Sequence, residues 1–230
     1  MRILLLFMIL FPSIATAGAW PREKGEVFLS FSNEVSARSQ TRYATGTSLY
    51  AEYGLTNRLT VGFDGTLGPT GTPSEAYLFL RTPLGQLDHP THLAISFGLG
   101  VKSIPNPWGT TSNQKLARIG ASWGRGLKRG WLGVDISAAT VLNTSITVPG
   151  QSGTTYKADF IWGMKPSKRV MLIWQLQTGK SPDGPTYARF SPSVIWEMPR
   201  GKGAQIEIGI VQGITGDDSR NLKLGFWRAF

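Results

Sequence analysis

From Gly25 to the terminal Phe230 the chain alternates apolar and polar residues, the period of an extended strand with one apolar face. Leu49, Ala51, Tyr53 and Leu55 share one face, and Ser48, Tyr50, Glu52 and Gly54 the other. Leu93, Ile95, Phe97, Leu99 and Val101 likewise oppose Ala94, Ser96, Gly98, Gly100 and Lys102. In these two segments the second face is small, polar or charged. No segment shows a helical period. Twelve strands are expected, at 26–35, 47–56, 59–67, 74–82, 92–102, 115–124, 131–141, 154–164, 169–178, 186–197, 204–213 and 221–230. Their length of about ten residues suits a tilted strand crossing a bilayer and exceeds the five or six usual in soluble sheets.

The connections alternate in kind. "TNR", "RGLKRG", "KPSK" and "PRGKG" are short and basic, with "PLGQLDHPT" a longer exception. "SARSQTRYATG", "GPTGTPS", "SIPNPWGTTSNQ", "NTSITVPGQSG", "GKSPDGPT" and "TGDDSR" are longer or richer in Gly, Ser, Thr and Pro. Short turns at one end and longer loops at the other are the pattern of a transmembrane barrel. The expected fold is therefore all-β: an antiparallel up-and-down barrel of about 12 strands, with 10 to 14 the range its boundaries allow. Pro192, inside "YARFSPSVIWE", removes a ladder hydrogen bond and predicts a bulge there.

The N-terminus changes the address of this barrel. Arg2, the apolar run "ILLLFMILFPSI" and the small residues Ala15 to Ala17 read as a secretory signal peptide over 1–17, followed by a single domain over 18–230. Cleavage after Ala17 fits the small-x-small rule, and Ala17-Gly18-Ala19 offers a second cut after Ala19. Beyond position 20 no apolar stretch approaches the roughly 20 residues of a spanning helix. The chain has no cysteine, which excludes disulfides, thiolate metal sites and thiol catalysis.

Formal net charge is +10, and loss of Arg2 with the leader leaves 23 basic against 14 acidic residues, or +9. The alternation puts Glu52, Asp64, Glu75, Arg81, Lys102, Arg118, Asp135, Lys157, Asp159, Lys165, Arg189, Glu207 and Lys223 on the inner face, close to charge balance. The excess falls in the turns, at Arg58, Arg125, Lys128, Arg129, Lys168, Arg169, Arg200 and Lys202. Nucleic acid is disfavoured as a partner, since no face combines basic and aromatic residues in the required way. Tyr50 and the inner charges are candidates to line the lumen, each with ion-paired bracing of the wall as the alternative role. Tyr53, Trp123, Trp162 and Trp196 are expected at the membrane interface, where amphipathic rings concentrate.

The last strand, "NLKLGFWRAF", carries Leu222, Leu224, Phe226 and Phe230 at alternate positions back from a terminal aromatic. This resembles the signature by which barrel-assembly machinery reads Gram-negative outer-membrane proteins. Arg228 departs from it, and snorkelling of its stem toward headgroups accounts for the departure. The hairpin "YAEYGLTNRLTVGFD", with "WGMKPSKRVMLIWQLQ" and "RFSPSVIWE", resembles small outer-membrane transporters of the phenol meta-pathway degradation group. The resemblance implies a barrel of about twelve strands, uptake or efflux of small molecules, and no defined binding residues.

Catalysis has little to stand on. His89 and His92 in "LDHPTHLAIS", with Asp88 or Ser96 as partners, are the one weak catalytic or metal candidate. No nucleophile elbow, phosphate loop or metal-ligand cluster is present. The expected function is an outer-membrane channel or transporter passing small solutes through a polar, mixed-charge lumen. A closed structural or interaction barrel is the alternative, and a lipid-modifying enzyme a more distant one. No cofactor or metal is expected. The expected partners are outer-membrane lipid, the assembly machinery during biogenesis and a solute the sequence does not identify.

Overall fold

The computed structural model describes residues 18–36, 45–68, 72, 74–105, 110–144, 153–182, 184–199, 201 and 203–230. The expected leader at 1–17 and much of the longer loops lie outside the described residues. The chain forms twelve strands: β1 (Val27–Ser36), β2 (Thr45–Thr56), β3 (Leu59–Leu67), β4 (Ser74–Leu84), β5 (Thr91–Pro105), β6 (Thr111–Leu127), β7 (Gly130–Thr144), β8 (Thr154–Met164), β9 (Val170–Lys180), β10 (Thr186–Glu197), β11 (Ala204–Thr215) and β12 (Arg220–Ala229). Each pairs antiparallel with its chain neighbours, and β1 pairs with β12 to close the barrel. Mutual backbone hydrogen bonds of 2.8 and 3.0 Å between Val27 and Phe230 finish that seam. β1 therefore begins and β12 ends at the short-turn end, which is periplasmic in outer-membrane barrels.

The alternation is realised in full on the outer surface. Leu78, Leu99, Ile119, Ile136, Ile208 and Ile210 each expose more than half their surface, and they are members of a continuous apolar belt. So much exposed hydrocarbon has no place in water and suits lipid. Tyr53, Trp162 and Trp196 are exposed on the same side. Trp123 shares the parity of outward Ile119 on β6 and is half-buried. Trp162 stacks on Trp174 with ring centroids 4.5 Å apart, a pairing of neighbouring strands that the separate segments did not suggest. Arg228 also points outward, its guanidinium 5.1 Å from the Phe230 ring centroid.

Three expectations are corrected. Across Pro192 the register does not change, because Phe190 faces Gln212 and Ser193 faces Gly209. The irregularity lies instead between Ala188 and Arg189, and Pro192 stays opposite Trp174 of β9. Lys165 is in the turn after β8, not on the inner wall. Its amide donates to the Arg129 carbonyl at 2.8 Å, and burial pulls its pKa below the ordinary lysine value against the opposing pull of Glu197. Finally, β5, β6 and β7 run to 15, 17 and 15 residues, well past the expected ends. Much of "SIPNPWGTTSNQ" is ladder, with Ser103 opposite Asn113 and Pro105 opposite Thr111. Its Ser, Thr and Asn side chains read as loop, but a strand that has left the bilayer loses the need for an apolar face.

Candidate functional site

Among the described residues the barrel gathers its ion pairs mainly in the interior, and the two halves of that interior differ. At the loop half, charged side chains reach across the lumen. Glu75 of β4 takes Lys102 of β5 at 3.4 Å and Lys157 of β8 at 3.7 Å, so the second contact spans four strands. Arg118 of β6 holds Asp64 of β3 at 2.6 Å and lies 4.1 Å from the Tyr77 ring centroid. Arg189 of β10 reaches Glu34 of β1 at 4.0 Å, and Asn221 donates to the same carboxylate at 3.0 Å. A small cavity opens among Glu75, Tyr77, Arg118, Ser137, Thr155 and Lys157. The charges around it keep part of their surface exposed.

The middle of the lumen is tighter. Glu52 has no exposed side-chain surface and receives Arg22 at 2.7 Å, Arg81, and the Tyr50 hydroxyl at 2.6 Å. Arg81 also donates to the Tyr50 hydroxyl at 3.0 Å. The rings of Phe28, Tyr50 and Phe79 flank this knot, with Tyr50 stacked on Phe79 at 5.8 Å. Three strands round the wall, on β11, Glu207 binds Lys223 at 2.9 Å and accepts from the Trp227 indole at 3.0 Å.

At the turn end the lumen is filled. Trp131, Met171, Ile173 and Ile195 form a buried cluster, with Trp20, Ile161 and Trp227 packed on it. The small or charged inner face seen in the second and fifth segments does not extend to β7, β9 and β10. Trp20 belongs to residues 18–26, which enter the barrel and run along its inner wall before Gly25, at φ +88°, turns the chain into β1. Ala19 and Arg22 are 1% and 3% exposed, and Arg22 also pairs with Glu26 at 3.3 Å. Two glycines make the room. A Cβ on Gly124 would collide with the Trp20 ring, and one on Gly54 with the Glu23 carbonyl.

The twelve lumen candidates, Tyr50, Glu52, Asp64, Glu75, Arg81, Lys102, Arg118, Asp135, Lys157, Asp159, Arg189 and Glu207, all carry the parity opposite to the lipid belt. They do not form one site. Tyr50, Glu52 and Arg81 form the buried knot, while Asp64, Glu75, Lys102, Arg118 and Lys157 surround or adjoin the cavity. Asp135 and Asp159 face each other across β7 and β8, and Ser122 donates to Asp135. Sequence reasoning missed Arg22 and Glu34, and it missed the inward aromatics Phe28, Tyr77, Phe79 and Trp131. The parity was available for all but Arg22, which precedes the first strand.

The two histidines make different contacts. The His89 ring accepts the Thr91 amide at 3.1 Å, whereas the His92 ring packs 5.5 Å from that of Trp20. Among the described residues no group of three or more His, Asp or Glu is gathered to hold a metal ion.

No family model and no curated protein matches this chain. Its fold has many solved counterparts. The KdgM porin in complex with disordered oligogalacturonate superposes with TM-score 0.59 at 8% identity, over 88% of this chain and 99% of that one. The COG4313 outer membrane channel from Pseudomonas putida F1 gives 0.56 at 11% identity, over 93% and 98%. The translocator domain of the autotransporter NalP from Neisseria meningitidis gives 0.51 at 12% identity, over 91% and 90%. The fold is that of a bacterial outer-membrane β-barrel.

Proposed function

We propose that the chain is an outer-membrane channel or transporter for small solutes, entered from the loop half of the lumen and constricted at the turn half. The observation that carries this reading is the group of partly exposed charges around the loop-side cavity. A wall meant only to be filled has no use for Lys102, Arg118 and Lys157 in contact with water, since partly hydrated pairs add little stability. The folds it shares include a porin and a channel, and the Tyr50–Asp64 hairpin resembles transporters of the phenol meta-pathway degradation group. Both likenesses favour passage of small molecules and leave the solute open. Contacts with outer-membrane lipid along the apolar belt, and with assembly machinery through Leu222, Leu224, Phe226 and Phe230, belong to the same proposal.

A specific observation favours a second reading: the buried knot at Glu52 and the apolar cluster behind it leave the turn half filled, as in a closed structural barrel. Planar-bilayer recording on folded, heat-modifiable protein separates the two. Discrete conductance steps are expected, larger in the double variant Trp20→Ala, Arg22→Ala than in the parent. Silence from both folded proteins would favour the closed barrel.

A further inference from the structure

The inner wall carries a charge arrangement that the twelve strands alone do not complete. Asp135 and Asp159 are direct partners in the β7–β8 register, and both face the lumen. Like charges opposite one another on adjacent strands repel, and uncompensated charge inside a protein is costly. Among the described residues no cation lies within 4.0 Å of either carboxylate, in contrast to the pairs at Glu52, Asp64, Glu75 and Glu207. The cations in wider electrostatic reach are Arg81 for Asp135, and Lys157 and Arg189 for Asp159. Each of those three already holds another carboxylate, Glu52, Glu75 and Glu34 respectively. Among the described residues, these two carboxylates hold no cation of their own.

What lies against Asp135 is the backbone of Gly18. A Cβ built on Gly18 would come within 2.6 Å of Asp135 Oδ2. The Gly18 Cα, one bond of about 1.5 Å behind that position, is therefore within about 4 Å of the carboxylate, and its nitrogen is one bond further. As a peptide nitrogen inside a longer chain that group is neutral. As a free amino terminus it is a cation at neutral pH, with an ordinary pKa near 8.

We propose that removal of the leader occurs between Ala17 and Gly18, and that the α-ammonium so created pairs with Asp135 and offsets the Asp135–Asp159 repulsion. The cut hydrolyses one peptide bond, consuming one water and leaving a carboxylate on the departing leader and the ammonium on Gly18. The new terminus anchors Gly18 to Arg22 inside the lumen from its free end, while Arg22 anchors it from the other through Glu52. Of the two cuts allowed by the small residues, the second, after Ala19, removes the group that meets Asp135 and discards the buried Ala19. The pairing is independent of whether the barrel conducts, so it stands or falls separately from the channel reading.

The test uses the mature protein purified from outer membranes, as a folded, heat-modifiable barrel. Intact mass and N-terminal sequencing are expected to give a chain beginning at Gly18. A chain beginning at Trp20 overturns the proposal. Amine acylation with an N-hydroxysuccinimide ester at pH 7, read on the N-terminal peptide, then tests the pairing. Only the neutral amine reacts, and a carboxylate neighbour that raises its pKa by about one unit lowers the rate about tenfold. Gly18 is expected to react at least about tenfold more slowly in the folded barrel than in denaturant. The near-isosteric variant Asp135→Asn is expected to recover about that factor while staying folded. Equal rates in folded and unfolded parent protein, or protection unchanged in Asp135→Asn, would overturn the pairing.

Discussion

Glu52 and Glu75 both face the lumen and both take two cations, but they live in different solvents. Glu52 has 0% exposed side-chain surface and close contacts with Arg22 and Arg81, while Glu75 keeps 21% exposed and meets Lys102 and Lys157 only at 3.4 and 3.7 Å. Around Glu52 the neighbours are aromatic rings and the N-terminal segment. Around Glu75 they are hydroxyls and a cavity. The same residue type therefore seals one half of the barrel and wets the other. The difference follows from what covers it: the N-terminal segment and large inward side chains on the turn half, a cavity on the loop half.

The largest effects are expected where the sealed half is also the closing seam. Deleting Phe230 removes the backbone bonds to Val27 and the last outward aromatic, so most of the protein should fail to reach the heat-modifiable, outer-membrane form. Normal assembly would show that β12 is read without its terminal residue. Next is Glu52→Gln, which takes from the buried Arg22 and Arg81 guanidinium groups the anion they share, leaving Arg22 its contact with Glu26. Breaking a buried pair costs about 3–5 kcal/mol, to be read from urea unfolding in lipid vesicles by tryptophan fluorescence. A loss below about 1 kcal/mol would mean that water reaches Arg22 and Arg81, erasing the contrast between the halves.

The contrast between wall and filling also marks what the sequence could disclose. Strand period is a local property, so Leu49 to Leu55 and Leu93 to Val101 announce both faces without any partner. All twelve strands, and the inner parity of every charge assigned to the lumen except Lys165, follow from it. The filling is not local. Arg22 and Trp20 precede the first strand and gain their roles only from Glu52, Gly54 and Gly124, which lie 30 to 104 positions away. Gly54 and Gly124 read as ordinary small inner-face residues until the segment that needs their space is known. Likewise, Pro192 signals a lost hydrogen bond but not whether the strand shifts to absorb it. The register shift fell beside Arg189 instead.

Smaller effects belong to the wet half. Arg118→Glu places a second carboxylate beside Asp64, a local change of two charges next to the cavity. If ions pass there, the reversal potential under a salt gradient should move toward cation preference. An unmoved potential would take Arg118 off the path and leave it as a brace between β3 and β6.

The smallest expected change sharpens the comparison most, because it matches the Glu52 substitution atom for atom. Glu75→Gln removes the same charge from the same kind of two-cation contact, but Lys102 and Lys157 have water to turn to. Their ammonium groups are compact and flexible, so each can rehydrate when the anion is lost. Pairs of this exposure contribute about 0–1 kcal/mol, and salt screens them. The variant should therefore unfold in urea within about 1 kcal/mol of the parent, with the difference shrinking as ionic strength rises. A loss approaching that of Glu52→Gln would show that the loop half is as dry as the turn half, and with it the cavity would lose its claim to be a path for solutes.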